Sequence, residues 1–182
     1  MKEFTLLNVF KGFIKNYINF DIKIGDLSED INNKEMKYFI ILGQMLGFTI
    51  FNKKNNETII EVNFYEDKNN KKKKLTINRE NNLLKDIIAI ENLIFSYSEE
   101  ERFFIEIIET SSEKRIEYLN NLIIKSNLCI KKEILVIYII KDILNYKTYF
   151  NAYLFNDNKI IDTKIGYSYK NELDGIQAIL ED

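Results

Sequence analysis

Phe103-Phe104-Ile105-Glu106-Ile107-Ile108-Glu109 is the stretch on which the fold turns. Five of its seven residues are aromatic or β-branched, the composition of a buried strand. Thr110-Ser111-Ser112-Glu113 follows as a capping box, opening a helix whose apolar stripe is Ile116, Leu119, Leu122 and Ile123. Beyond it, Ile134 to Ile140 (ILVIYII) is a continuous apolar run, as in a strand covered on both faces. Strand, helix and strand at this spacing predict a parallel, right-handed βαβ pair.

Toward the N-terminus, residues 81–91 read as a helix through Leu84, Ile87, Ile88 and Glu91, and Leu93 to Tyr97 as extended chain. Thr76 to Asn78 is expected to pair with a strand at 57–65, whose Thr58, Ile60, Val62 and Phe64 share a face. An earlier strand starts at Phe48 to Phe51. Asp26 to Asn33 reads as a polar loop, and Asn32 with Glu35 as the cap of a helix burying Tyr38, Ile41, Leu42 and Met45. Gly47 suits the left-handed position after that helix, and Gly43 a close packing site. Residues 3–18 have helical spacing through Leu6, Leu7, Phe10, Phe13, Ile14 and Tyr17, and Phe20 to Gly25 reads as a short strand. At the other end, Tyr149 to Phe155 and Lys159 to Ile165 form a hairpin about Asn156-Asp157-Asn158, and Leu173 to Leu180 a short helix. The expected fold is one α/β domain over residues 1–182, a mixed sheet with a parallel centre flanked by helices and a C-terminal antiparallel hairpin. Its core spans 33–140, with an N-terminal helix and strand at 1–32 and the hairpin and last helix at 147–182.

The composition excludes several chemistries. With no His among 182 residues, Ser-His-Asp and Cys-His catalysis and His-ligated metals are absent. A single Cys, Cys129, excludes an internal disulfide and cysteine-only metal clusters, and reads as a small core residue. None of the six Gly builds GxGxxG or a GK[ST] loop, which argues against nucleotide hydrolases and dinucleotide oxidoreductases. The net charge of -2 shows no bulk polycation for nucleic acid. Enrichment in Asn, Ile, Lys, Phe and Tyr, with no Pro or Trp, reflects A/T-rich codons and hence an AT-rich genome. Lys11 and Lys15 interrupt any secretory signal and no apolar run reaches membrane-spanning length, so a cytoplasmic protein away from membranes is expected.

The order of elements over about residues 33–140, with Leu46-Gly47-Phe48 at a helix-to-strand entry and the acidic strand FIEIIETSS, resembles the restriction-endonuclease-like PD-(D/E)XK superfamily. Members hold Mg²⁺ between carboxylates on neighbouring strands, with a Lys two residues after the second acid. The resemblance makes Glu106 the second acid, places the first near Asn92 and puts Ile108 where the Lys belongs. It implies Lys114 as a substitute cation and Glu35 as a further metal carboxylate, with Mg²⁺ as cofactor only if catalysis is retained. Because Asn is a poor ligand for a hard cation and Ile cannot activate water, it implies a scaffold that binds nucleic acid or a nucleoprotein complex. A metal-dependent nuclease stands third. Glu106 and Glu109 can equally be strand-end acids paired with nearby cations.

Two surface features bear on partners. Lys68 and Lys71, Lys72, Lys73 and Lys74 form a run on a hairpin that could meet phosphates with a log–log salt slope of about −4, or could be a solvated turn. Tyr149, Tyr153 and Phe155 share one hairpin face, with Tyr167 and Tyr169 near its end, suited to a protein partner or to ordinary strand packing. The alternative function is therefore a small accessory or inhibitor, encoded by a phage or mobile element, that binds a host or complex protein. The sequence does not specify an oligomeric state.

Overall fold

In the computed structural model, the FFIEIIE stretch is strand β4 (Phe103–Glu109), whose side chains alternate between two cores. The structure describes residues 5–20, 28–55, 59–66, 69, 72–80, 82–95, 103–126, 132–171 and 175–181. Ser112 caps α4 (Glu113–Lys125) by accepting from the Arg115 amide, two positions later than a Thr110 box would begin. Ile116, Leu119 and Ile123 of α4 are buried as expected, with Asn120 beside them. The apolar run that follows is β5 (Glu133–Asp142), parallel to β4 in the register Glu106↔Val136.

The remaining strands extend this pair on both sides. β1 (Thr49–Asn55), β2 (Ile59–Tyr65) and β3 (Lys73–Glu80) form an antiparallel meander, and β3 runs parallel to β4. β6 (Lys147–Asn156) and β7 (Lys159–Asn171) are the expected hairpin, turning through Asp157 and Asn158 at φ of 47° and 57°. Both central residues at positive φ suit the twist of the strands, and Asp and Asn tolerate it. β8 (Gly175–Leu180) completes an eight-stranded sheet in sequence order, a mixed α/β fold with a parallel centre. It replaces the expected C-terminal helix. Ile176, Ala178 and Leu180 alternate onto the α1 core, and pairing with residues 166–171 of β7 outweighs weak helical spacing.

Helices α1 (Leu6–Asn16) and α2 (Ser28–Met45) cover one face, over Ile105, Ile107, Leu135 and Ile137. A 3₁₀ turn, Tyr17–Phe20, continues α1, so Phe20 is not in a strand, while residues 21–27 lie outside the described chain. Helices α3 (Asp86–Phe95) and α4 cover the other face, over Phe104, Ile108, Ile134 and Val136. Arg115 clasps α4 to α3, its Nε and Nη2 each donating to Asp86 at 2.8 Å.

Three helix expectations are corrected. α2 begins at Ser28, so Asn32 lies inside it and is buried rather than capping it. The helix buries Asn32, Glu35, Met36 and Phe39, leaving Ile41 and Met45 exposed. α3 continues through Phe95, so residues 93–95 are helical, and it buries Asp86, Ala89, Ile90 and Leu93 while Leu84 and Ile88 face solvent. Gly47 has the expected left-handed backbone, at φ 83°.

Candidate functional site

Alternation along β4 turns Glu106 toward the α3/α4 side, in one cross-strand row with Glu61 and Asn78. Asn78 Nδ2 donates to Glu106 Oε2 at 3.0 Å. The carboxyl is 3% exposed. Burial pushes its pKa up to about 8; the Asn78 bond opposes the shift, and negative charge on Glu80 and Glu61 adds to it. Glu106 is therefore mostly a neutral acid at pH 7. Beside it, Asn63 Nδ2 donates to Glu61 and Thr76 Oγ1 to Asn63. Glu80 Oε1 accepts from the Asn82 amide, and its Oε2 is buried without a hydrogen-bond partner.

Glu35 lies on the opposite side of the sheet. Its Oε1 accepts from the Tyr17 hydroxyl at 2.9 Å and its Oε2 from Arg79 Nε at 3.1 Å. Arg79 follows Asn78 in β3, so the two side chains leave the strand on opposite faces. Burial, followed by the charge and hydrogen bond of Glu35, holds the Tyr17 pKa well above its ordinary value. The acids expected to share a metal are thus separated by the sheet. Asn92, the expected position of the first acid, is exposed on α3 because the chain there is helical. Lys114 is exposed in the first turn of α4, whereas the hydrogen bond to Glu106 comes from Asn78.

These residues do not fit a Mg²⁺ centre. Glu35 has both oxygens engaged by Tyr17 and Arg79, and Glu106 favours its proton. Among the described residues, no group of three or more Asp, Glu or Cys could hold a metal ion. The charged pairs Glu35–Arg79, Asp86–Arg115 and Glu109–Lys141 each join two separate elements.

The basic run is partly occupied by its own hairpin. Lys72 and Lys74 pair with Glu66 at 2.5 and 2.9 Å, and Lys74 also lies over the Phe103 ring. These bonds lower the Glu66 pKa. Lys73 is half-buried, while Lys68 and Lys71 lie outside the described residues.

The aromatic hairpin face separates into two parts. Phe155 is fully buried in the α3/α4 core, and Tyr153 packs edge-to-face on Tyr138 at 5.8 Å, so neither forms an open surface. Tyr149 stands in a cross-strand row with Tyr167 and Ile179, beside the row of Lys147, Tyr169 and Gln177. The Lys147 ammonium lies 4.6 Å and 3.9 Å from the Tyr149 and Tyr167 ring centres. Ile165 and Ile179 are exposed beside them. At the same end, the β5–β6 turn holds Ile143 and Leu144 outward, 81% and 90% exposed. Asp142 orders that turn by accepting from the Asn145 backbone and side-chain amides.

Sequence reasoning placed Tyr167 and Tyr169 near the end of this face but missed Ile165, although the spacing of two through 165, 167 and 169 carried the signal. The other side of β7 presents Gly166 and Ser168, both buried. A Cβ at Gly166 would stand 2.9 Å from Ile14 of α1. The side of β7 that meets the core is small, and its large apolar side chains turn away from α1.

No family model and no curated protein matches the chain. A solved structure similar to it is the crystal structure of the central domain of yeast acetyl-CoA carboxylase, 13% identical, with a TM-score of 0.47. The match covers 82% of this chain but only 26% of that one. That likeness carries no inference about activity. No helix among the described residues is long and apolar enough to cross a membrane.

Proposed function

We propose that the chain is a non-catalytic protein-binding module that engages its partner through the outer face of β6–β8 and the β5–β6 turn. The observation that carries this reading is the outward direction of Ile165, Tyr167 and Tyr169 on β7, continued by Tyr149, Ile179, Ile143 and Leu144. An apolar patch held on a rigid sheet is the usual form of a protein contact surface, and Tyr anchors such contacts at low entropic cost. The element order from α2 through β5 supports a scaffold related to the PD-(D/E)XK nucleases, used here for holding. A role as an accessory or inhibitor encoded by a phage or mobile element agrees with the dispersed acids. A nucleic-acid role has weaker support, because Lys72 and Lys74 already pair with Glu66.

The test is site-directed photocrosslinking in source cells, with the reactive residue placed at Tyr167 or, as a control, at Lys114 on α4. One discrete protein adduct at 167, absent at 114 and lost on Ile165→Lys, is expected. No adduct specific to 167 would overturn the reading. So would oligonucleotide retention that disappears when Lys71 to Lys74 become Gln.

A further inference from the structure

The two end strands of the sheet differ in how they present their edges. β1, at one end, carries Lys53 and Lys54, charges of the kind that keep an edge strand from pairing with another chain. β8, at the other, reads Gly175-Ile176-Gln177-Ala178-Ile179-Leu180, with no charge and no Pro. The Glu181 amide donates to the Ile165 carbonyl at 2.8 Å, so the backbone groups of Gln177 and Ile179, which alternate in step with Glu181, also turn toward β7. Those of Ile176, Ala178 and Leu180 turn the other way, where no strand lies among the described residues. Such a row of N–H and C=O groups is a template for a further strand.

The same three residues send their side chains onto the α1 core, where they are only half-buried. This coincidence makes the strand complementary to itself. Laid antiparallel against a second copy about Ala178, β8 pairs Ile176 with Leu180 and Ala178 with Ala178, each pair exchanging two backbone bonds. Gln177 then stands opposite Ile179 on the outer face, and no side chain changes face. Ile176 and Leu180 meet across the join and carry the apolar layer beneath α1 from one copy into the other. We propose that the chain forms a two-fold dimer through β8, with one continuous sheet running through both copies. A contact of this symmetry is closed, so assembly stops at two. The strand edge is about 20 Å long and narrower than a standard interface of about 800 Å² per partner, so a dissociation constant in the micromolar range is expected. The join lies at the strand edge and does not depend on the outer face of β6–β8 having a partner.

Sedimentation velocity of the full chain from about 1 to about 500 μM tests the proposal. A reversible monomer–dimer equilibrium is expected, weakened by about tenfold or more in Ala178→Pro. The Ala178 amide points away from β7, so this substitution spares the ladder within the chain and removes the central bonds of the join; circular dichroism would check the fold. Phe51→Lys, at an exposed position of β1, should leave the equilibrium unchanged. The register is read separately, in chains whose native thiol is removed by Cys129→Ser. A mixture of Gln177→Cys and Ile179→Cys chains should give a disulfide-linked dimer on oxidation, because residues opposite one another there have Cα atoms about 4.5 Å apart. Neither variant alone should do so. A monomer throughout the range, a dimer indifferent to Ala178→Pro, a dimer lost on Phe51→Lys, or no crosslink specific to the mixture would overturn the proposal.

Discussion

Replacing Glu106 with Gln should change how stability depends on pH, and the magnitude follows from burial. The folded carboxyl titrates at about 8 against an ordinary 4.5, mainly because β4 carries it into a dry interface beneath α3 and α4. A folded pKa above the unfolded one means that the native state holds the proton more tightly. The associated stability is fully present below about 4.5 and is lost as pH rises through about 8. At about 1.36 kcal/mol per unit, the full loss is about 5 kcal/mol, of which about 3–4 falls between pH 5 and 8. Glu106→Gln retains the shape and an oxygen for Asn78 Nδ2 but removes the titration. Urea unfolding of both proteins at one-unit steps from pH 5 to 9 isolates this residue, because every other titrating group is common to the pair. The variant should gain on the parent steadily up to pH 8 and then level off. A difference constant to within about 1 kcal/mol across that range would refute the reasoning, showing that water or a cation stabilises the ionised carboxylate.

Other perturbations test the remaining contacts. Arg79→Met strands the buried Glu35 carboxylate and should cost about 3–5 kcal/mol in urea unfolding, most of it recovered by adding Glu35→Leu. Gly43→Ala would bring a methyl group within 2.8 Å of the Phe64 ring and should lower stability by about 1–3 kcal/mol. Burial works to raise the Asp86 pKa, but hydrogen bonds and charge from Arg115 overcome it and hold it low. The resulting stability is present above the ordinary 3.8 and lost as pH falls through the lower folded value. Arg115→Met should therefore cost about 1–3 kcal/mol near neutrality and flatten the acid limb of a stability–pH curve.

What the residues by themselves determined was the centre of the sheet and the local punctuation. FFIEIIE, the cap near Ser112 and ILVIYII are contiguous signals. Burial on both faces favours an uninterrupted apolar run wherever the neighbouring strands come from. Gly47 and Asp157-Asn158 were readable for the same reason, since positive φ is a property of the residue and its immediate neighbours. Tertiary contacts decided which face of each element was used. The rotation of α2 depends on an ion pair between residues 44 apart, and an apolar stripe cannot outrank a buried Arg that needs its carboxylate. The candidate site shows the same division. Glu106 was visible as an acid in a buried strand, but its neutral state depends on the cover of α3 and α4 and on Asn78, which is 28 residues away. The outward Tyr and Ile of β7 follow from α1 packing against Gly166, and β8 is a strand because β7 extends far enough to pair with it. Hydrophobic periodicity indicates that a face will be covered, while the covering element is chosen by contacts between distant parts of the chain.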